Sequence, residues 1–592
     1  MIPPISQDIW SSKYRFVRPD GTAEQSLAET LERVATAVSD AENPELRGFW
    51  RQQFLEVLSD LSFIPAGRIL AGAGTGRAVT LFNCYVMGSI PDSLPGIFGG
   101  LTEAALTLQQ GGGIGHDFST LRPMGAAVHS VGADASGPLS FMDVWDSMCR
   151  TIMSAGARRG AMMGTLACDH PDIEMFVDAK RDGKRLRNFN VSVLVTDAFM
   201  RAVEGDGEWA LRFGGEVYKT VRARELWQRI MRATYDVAEP GVIFIDRVNS
   251  QNPLAYCETI ACTNPCGEQP LPPYGACLLG SLNLTRFVID PFTEHSRLDL
   301  VRLQAVAAIA IRFLDNVVDV SNYPLPQQQA EAFAKRRLGL GVTGLANALF
   351  MCGLRYGSPS AVAATKSWMQ AIEEAALDQS IELAAEKGSF PRFDAGAYLA
   401  TPSAQRRPPE VREAIATRGL RNGLLTSIAP TGTISLLAGN ISSGIEPVFS
   451  LSQSRRILNR DGSHRTEELE DFGYAAWRQT EQKTRPAALT TMAELSADEH
   501  LAMQAAAQAH VDSSISKTIN VPADYAFSDF VSVYEKAWKL GLKGCTTFRP
   551  NSVTGSILTA TSVEVCPSCG SDKLDNKEGC KTCRDCGTAF CG

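Results

Sequence analysis

Beyond about residue 60 the sequence alternates short strand-like runs with amphipathic segments, and that alternation limits the fold more than any other feature. Thr80-Leu-Phe-Asn-Cys-Tyr-Val-Met87, Asn190 to Val195 and Gly241 to Ile245 read as strands. Ala223 to Tyr235 and Pro326 to Arg337 read as amphipathic helices. Strands separated by helices bury their apolar faces by stacking helices on a sheet, so the expected class is α/β. Residues 1–60 are expected to be a helical segment, with apolar positions at Leu27, Leu31, Val34 and Val38 and again at Phe54, Val57 and Leu61. A glycine-rich region follows, from Gly67 to Gly115, and Pro402 to Glu410 reads as a Pro-rich, charged surface loop. Gly339-Leu-Gly-Val-Thr-Gly344 satisfies the GxGxxG dinucleotide pattern, but the preceding Gln327 to Arg337 looks helical and no acidic residue follows at the required distance. Helix packing is the expectation there. Residues 61–551 are read as one catalytic unit, 552–565 as a Ser/Thr-rich linker and 566–592 as a separate tail.

With 44% hydrophobic and 21% charged residues, the chain has material for a sizeable core, and disorder is excluded for most of it. The most apolar window, Val301 to Val318, is interrupted by Arg302, Arg312 and Asp315, so no membrane span is expected. Met1-Ile-Pro-Pro-Ile-Ser6 lacks the basic and apolar regions of a signal peptide, which predicts a cytoplasmic protein. The net charge of −8 argues against a nucleic acid polymer as the main partner. A small anionic substrate remains compatible with it, because local donors hold a phosphate.

Of 15 cysteines, six fall in the last 27 residues. Cys566-Pro-Ser-Cys569-Gly and Cys583-Arg-Asp-Cys586-Gly are two CxxC knuckles, the arrangement that gives zinc four thiolates from two tight loops. A unit this small has too little core to fold alone, so a bound metal would supply its stability. Cys580 and Cys591 are then left over as a dithiol able to shuttle electrons; Cys580 to Cys583 could equally be the second knuckle, leaving Cys586 and Cys591.

Asn264-Pro-Cys266-Gly-Glu268 is the densest chemical constellation, with an amide, a thiol and a carboxylate within five residues of a turn. A carboxylate neighbour raises a thiol pKa, which disfavours a thiolate nucleophile. It suits a thiol that gives and takes a hydrogen atom, with Glu268 as general acid or base. Together with Phe82-Asn-Cys84-Tyr-Val, Tyr274-Gly-Ala-Cys277, Gln109-Gln-Gly-Gly-Gly-Ile-Gly115, Arg337-Leu-Gly-Leu-Gly and Ala429-Pro-Thr-Gly-Thr-Ile-Ser435, this motif resembles the catalytic subunit of ribonucleotide reductase.

The resemblance implies a ten-stranded α/β barrel, two five-stranded parallel halves antiparallel to each other, with a helical N-terminal segment and a small zinc-ribbon-like C-terminal domain. It implies that Cys266 becomes a thiyl radical, that Glu268 takes a proton, that Asn264 holds the ribose, and that Cys84 and Cys277 supply the reducing equivalents. Thr431, Gly432, Thr433, Ile434 and Ser435 match the substrate-phosphate segment. Asp92, with Arg185 and Arg187, is assigned to the site of a deoxynucleotide or ATP effector that sets substrate specificity. A homodimer re-reduced by thioredoxin or glutaredoxin is implied as well. Members that use a separate radical subunit relay the electron through adjacent tyrosines; here Thr546 and Thr547 stand at the matching place. The Cys545-Thr-Thr-Phe-Arg-Pro550 wording and the cysteine-rich tail are similar to the adenosylcobalamin-dependent class II group. No histidine lies in the DxHxxG cobalamin motif, so the cofactor pocket stays unassigned from sequence. The N-terminal 60 residues look too short for an ATP cone, which predicts specificity control without an on/off switch.

Overall fold

The computed structural model describes residues 3–128, 132–152, 160–458, 464–480, 482, 485–551, 559–560, 574–577, 580–583 and 589–591. The chain starts with a short helix, Pro4–Ile9, and one π-helical turn, Trp10–Tyr14. Helices Leu27–Ser39 and Arg47–Ser59 follow. Ser26 caps the first of these by accepting from Glu29 N, and the stripe Leu27, Leu31, Val34, Val38 is buried, as the spacing predicts. Helical structure continues beyond residue 60, through Gly67–Gly72.

The strands that frame the interior are β1 (Phe63–Pro65), β2 (Cys84–Val86), β3 (Gly113–Asp117), β4 (Met162–Ala167), β5 (Phe189–Val195), β6 (Gly241–Phe244), β7 (Ala276–Cys277), β8 (Leu279–Asn283), β9 (Gly339–Thr343), β10 (Thr518–Asn520) and β11 (Gly544–Phe548). One eight-stranded sheet runs β7-β2-β3-β4-β5-β6-β11-β10. Within it β2 to β6 are mutually parallel, while the pairings β7–β2 and β6–β11 are antiparallel. A second sheet has the order β1-β8-β9, with β8 and β9 parallel. Single parallel bridges then join Leu340 to Thr426 and Ile428 to Ile515. Intervening helices such as Ala223–Val237 cover the strands with one apolar face, as expected of an α/β protein.

Two expectations fail. Gly339–Thr343 is a fully buried strand, not a helix-packing segment. A side chain at Gly341 would collide with the Ser427 carbonyl, so the glycine is there to let two strands approach. Pro402 to Glu410 lies at the surface, as expected, but is largely helical and not a loop. Pro402 and Pro409 each begin a helix, Pro402–Gln405 and Pro409–Arg418, where a missing N–H costs nothing. Arg407 between them is largely buried and pairs with Glu373 at 2.7 Å.

The N-terminal segment is tied to the rest by buried charge. Glu42 accepts from Arg312 Nε and Nη2 at 2.7 Å each and from Asn316 Nδ2 at 2.8 Å, with Lys387 Nζ at 3.1 Å. Burial pushes the Glu42 carboxyl up, but the bonds from Arg312 and Asn316 outweigh it and hold the group below its ordinary value. Removing one partner of such a network strands the others without solvent. Glu42→Gln should therefore cost about 3 kcal/mol of stability, read as a lower midpoint in urea unfolding; an unchanged midpoint would refute the role.

Candidate active site

The turn that carries Cys266 hangs between two short paired strands, Cys262–Thr263 and Pro270–Leu271. Asn264 N donates to Gln269 O at 3.2 Å, Gln269 N donates to Asn264 Oδ1 at 3.0 Å, and Gly267 N closes the turn onto Asn264 O at 3.1 Å. Gly267 has φ +83°, a conformation that L side chains adopt only with strain. Neighbouring strands hold the turn from outside. Asn190 Nδ2 donates to Pro265 O at 2.8 Å, and Glu268 O accepts from Ser514 N and Ser427 Oγ, each at 2.9 Å.

The turn separates two cavities, and Cys266 lines both. Its side chain is accessible, but the surface it shows opens into these interior spaces, with protein packed around them. The first cavity, about 290 Å³, is also lined by Cys84, Glu268, Asn83, Ser281 and the segment Ala429 to Ile434. The second, about 330 Å³, lies against β5, β6 and β11 and includes Asn190, Gln504, Lys517, Lys543, Cys545 and Thr546.

Cys84 and Cys277 occupy directly opposed positions of the antiparallel pair β2–β7. In such a pair the Cβ atoms of facing residues lie ~4.5–5.5 Å apart, so one backbone register brings together thiols 193 positions apart in the chain. Burial, then the hydrogen bond with Cys84 and nearby negative charge, pushes the Cys277 thiol well up. Burial, then the Glu268 carboxylate, does the same to Cys266. Both thiols therefore stay protonated at neutral pH. Burial also raises the Glu268 carboxyl to about 7, with partial relief from the Asn264 amide. At ordinary hydrogen-bond geometry neither Glu268 Oε2 nor Asn264 Nδ2, both buried, has a partner among the described residues, although the two side chains lie close enough for the amide to ease the carboxylate charge. Buried polar atoms are rarely left so, and here both lie on the two sides of the same turn.

The sequence-assigned phosphate segment is only partly free. Gly432 and Thr433 face the first cavity, but the Thr431 hydroxyl is taken by Thr343 Oγ1 at 3.0 Å and Gly444 N at 2.7 Å. Ser435 does not line the cavity; its hydroxyl bonds Gly432 O at 3.2 Å and Ser443 Oγ at 3.0 Å. Ile434 contributes an apolar wall. Asp92 pairs with Arg122 at 2.8 Å, whereas Arg185 pairs with Asp143 at 2.7 Å and Arg187 is exposed. No described contact joins either arginine to Asp92. Of Thr546 and Thr547, only Thr546 faces the second cavity; Thr547 Oγ1 meets the buried Tyr534 hydroxyl at 2.9 Å.

Among the tail residues, Cys566, Cys569 and Cys586 lie outside the described residues, and of Cys580, Cys583 and Cys591 only the backbone is described. In that backbone Cys580 stands opposite Cys591 across an antiparallel pair. Of the four predicted metal ligands, Cys566, Cys569 and Cys586 thus lie outside the described residues and Cys583 is described in its backbone alone. Sequence reading also missed Tyr14 and Arg68, both of which line the first cavity. Tyr14 belongs to the N-terminal segment, which nothing in its helical spacing marks as part of a site.

The chain matches the ribonucleotide reductase barrel domain over residues 82–548 and the ribonucleotide reductase all-alpha domain over residues 3–78. It belongs to the ribonucleotide reductase family. Among its relatives, the vitamin B12-dependent ribonucleoside-diphosphate reductase of Mycobacterium tuberculosis (strain CDC 1551 / Oshkosh) is 39% identical over 93% of this chain and 80% of its own length. The protein of the same name from Thermoplasma acidophilum is 35% identical, over 95% and 72%. The ribonucleoside-diphosphate reductase large subunit of vaccinia virus is 27% identical, over 87% and 75%.

The opposed thiols make a direct prediction. Mild oxidation followed by digestion without reductant should yield a Cys84–Cys277 linked peptide as the first disulfide of the core. Linkage of either residue to Cys266 instead, with no Cys84–Cys277 product, would contradict the register.

Proposed function

We propose that this protein reduces ribonucleoside diphosphates to 2′-deoxyribonucleotides by thiyl-radical chemistry that depends on adenosylcobalamin. The observation that carries the reading is the placement of Cys266 on the wall shared by two cavities, one of which is also lined by Cys84, Glu268 and residues 431–434 of the phosphate segment, with Cys277 buried opposite Cys84 across β2–β7. The B12-dependent names of the relatives support the cofactor.

The second cavity fits an adenosyl-bearing cofactor. Its wall is part polar and part apolar: Gln504 Oε1 is buried without a described partner, Ser516, Thr518 and Thr546 add hydroxyls, and Val242, Ile243 and Ile515 add apolar surface. When bound there, adenosylcobalamin supplies a radical through cleavage of its Co–C bond. Cys266, kept as a thiol by burial, is the residue that becomes the thiyl and removes the 3′ hydrogen of the ribose. Glu268, titrating near 7, accepts the 3′-hydroxyl proton. Asn264 Nδ2 is the orphan donor for a ribose hydroxyl. The 2′-hydroxyl leaves as water with a proton from the dithiol, the two electrons come from Cys84 and Cys277, and Cys266 returns its hydrogen to C3′. In sum, ribonucleotide plus two thiols gives deoxyribonucleotide, water and one Cys84–Cys277 disulfide.

The same reading completes the architecture as a ten-stranded barrel. One half is β2 to β6; the other is β7–β8, β9, the stretch around Thr426 to Ile428, the stretch from Ile515 into β10, and β11. Support comes from the antiparallel pairings at both seams and the parallel bridges between them. Helix Leu94–Gln109 is assigned to a homodimer interface, because Leu94, Phe98 and Leu106 leave apolar surface exposed next to Asp92. A deoxynucleotide effector is placed by Asp92 at that edge. In the tail, Cys566, Cys569, Cys583 and Cys586 are assigned to zinc. Cys580 and Cys591 are assigned to electron transfer from thioredoxin or glutaredoxin.

Anaerobic turnover of ribonucleoside diphosphates with a dithiol should require added adenosylcobalamin; product formed without it refutes the cofactor assignment. Cys266→Ser should abolish product, since a serine O–H is too strong to relay the hydrogen, and residual turnover above background would count against the thiyl role. The rate should rise about tenfold per pH unit below pH 7 and level off above it, because only ionised Glu268 accepts the proton. Glu268→Gln should slow the reaction by about 10²–10⁴ and erase that limb; a limb that persists assigns it to another group.

A further inference from the structure

Read as the ribonucleotide site, the first cavity must take an anion, but the assigned phosphate segment provides only neutral donors. Thr431 has already spent its hydroxyl on Thr343 and Gly444. A nucleoside diphosphate carries several negative charges, and it must enter a space that already contains the Glu268 carboxyl. Among the described residues that line this cavity, one is cationic, Arg68.

Its position is set by the fold. β1 ends at Pro65 opposite Gly280, Ala66 N donates to Leu279 O at 3.0 Å, and the helix Gly67–Gly72 turns away immediately afterwards. Arg68 thus leaves the same wall, β1-β8-β9 and its bridge to Thr426, whose far end carries the phosphate segment. The side chain is confined on its other flank. A Cβ on Gly111 would lie 2.5 Å from Arg68 Nη1 and 2.8 Å from Cζ, so the glycine-rich run after the helix Leu94–Gln109 leaves room for the guanidinium. Arg68 already makes an interaction within the protein, but a guanidinium carries five N–H donors, and one edge of its confined fork matches two phosphate oxygens with little further loss of entropy.

We propose that Arg68 binds the terminal phosphate of the substrate and sets the preference for diphosphates over monophosphates. The proposal rests on reading the first cavity as the ribonucleotide site. Gly432 and Thr433 then serve the inner phosphate through backbone N–H groups, and Arg68 neutralises the outer one.

The test compares CDP with CMP by calorimetry on the full chain, with adenosylcobalamin withheld so that neither ligand is consumed. The wild type should bind CDP about 10- to 100-fold more tightly than CMP, the size of hydrogen bonds to a charged group. Arg68→Gln should bring CDP down to the CMP level while leaving CMP nearly unchanged. Arg68→Lys, which keeps the charge and loses the fork, should retain part of the gap; it also provides the reading if the glutamine variant fails to fold. Equal weakening of both nucleotides would overturn the proposal and place Arg68 on the base or sugar. An unchanged CDP to CMP ratio in both variants would overturn it as well. If the wild type binds neither nucleotide, the ribonucleotide reading itself fails, a result distinct from either of these.

Discussion

The structure depends on keeping a five-residue turn, Asn264 to Glu268, inside the protein with its main chain satisfied. An interior turn exposes backbone groups that water cannot reach, and each one left unpaired costs on the order of 1–3 kcal/mol. Here the turn bonds to itself through Asn264, Gly267 and Gln269, and to its surroundings through Asn190, Ser427 and Ser514. Those three outer partners come from segments far apart in the chain, so the turn is positioned only when the strands that carry them are assembled. Folding and site formation are one event.

Once placed, the turn divides the interior into two cavities, and burial then fixes the chemistry of both. Loss of hydration favours the neutral form of every acid present. Burial is the largest cause that holds Cys266 and Cys277 as thiols, with nearby negative charge adding to it, and it lifts Glu268 to about 7. A thiol that stays protonated is suited to hydrogen-atom transfer, and a carboxyl poised near 7 is suited to accept and return a proton. Among the described residues Glu268 makes no ion pair, whereas the second cavity has Lys517 paired with Glu446 and Glu239 paired with Lys180 on its wall. The strong buried ion pairs, such as Glu42 with Arg312 and Asp315 with Arg336, instead fasten helices to one another outside the sheets.

Much of this was legible in the sequence. The α/β class and the strands around Cys84, Asn190 and Gly241 follow from local composition, and the grouping of Asn264, Cys266 and Glu268 on one turn follows from their spacing. What the sequence concealed was produced by long-range pairing. The family resemblance implies the pairing of Cys84 with Cys277, but the strand register that opposes them is not encoded in local pattern. Gly339–Thr343 reads as helix packing because its glycines are permissive in any structure; only the neighbouring Ser427 carbonyl shows that they serve strand contact. Pro402 and Pro409 read as loop residues because proline breaks helices, whereas at a first helical position it starts them. Ser435 and Thr431 looked available to a phosphate because their hydroxyl partners, Ser443, Thr343 and Gly444, are distant or unremarkable in sequence. Tyr14 and Arg68 reach the cavity from elements that carry no motif.

The central claim is that one thiol, Cys266, is shared by a substrate cavity and a cofactor cavity. Alkylation of Cys266 at pH 9, followed by mass spectrometry of the digested protein, tests it without relying on turnover. A ribonucleoside diphosphate alone and adenosylcobalamin alone should each slow modification of Cys266, and both together should slow it most. Protection by only one of the two ligands, at concentrations where both are bound, would show that the thiol does not stand between them.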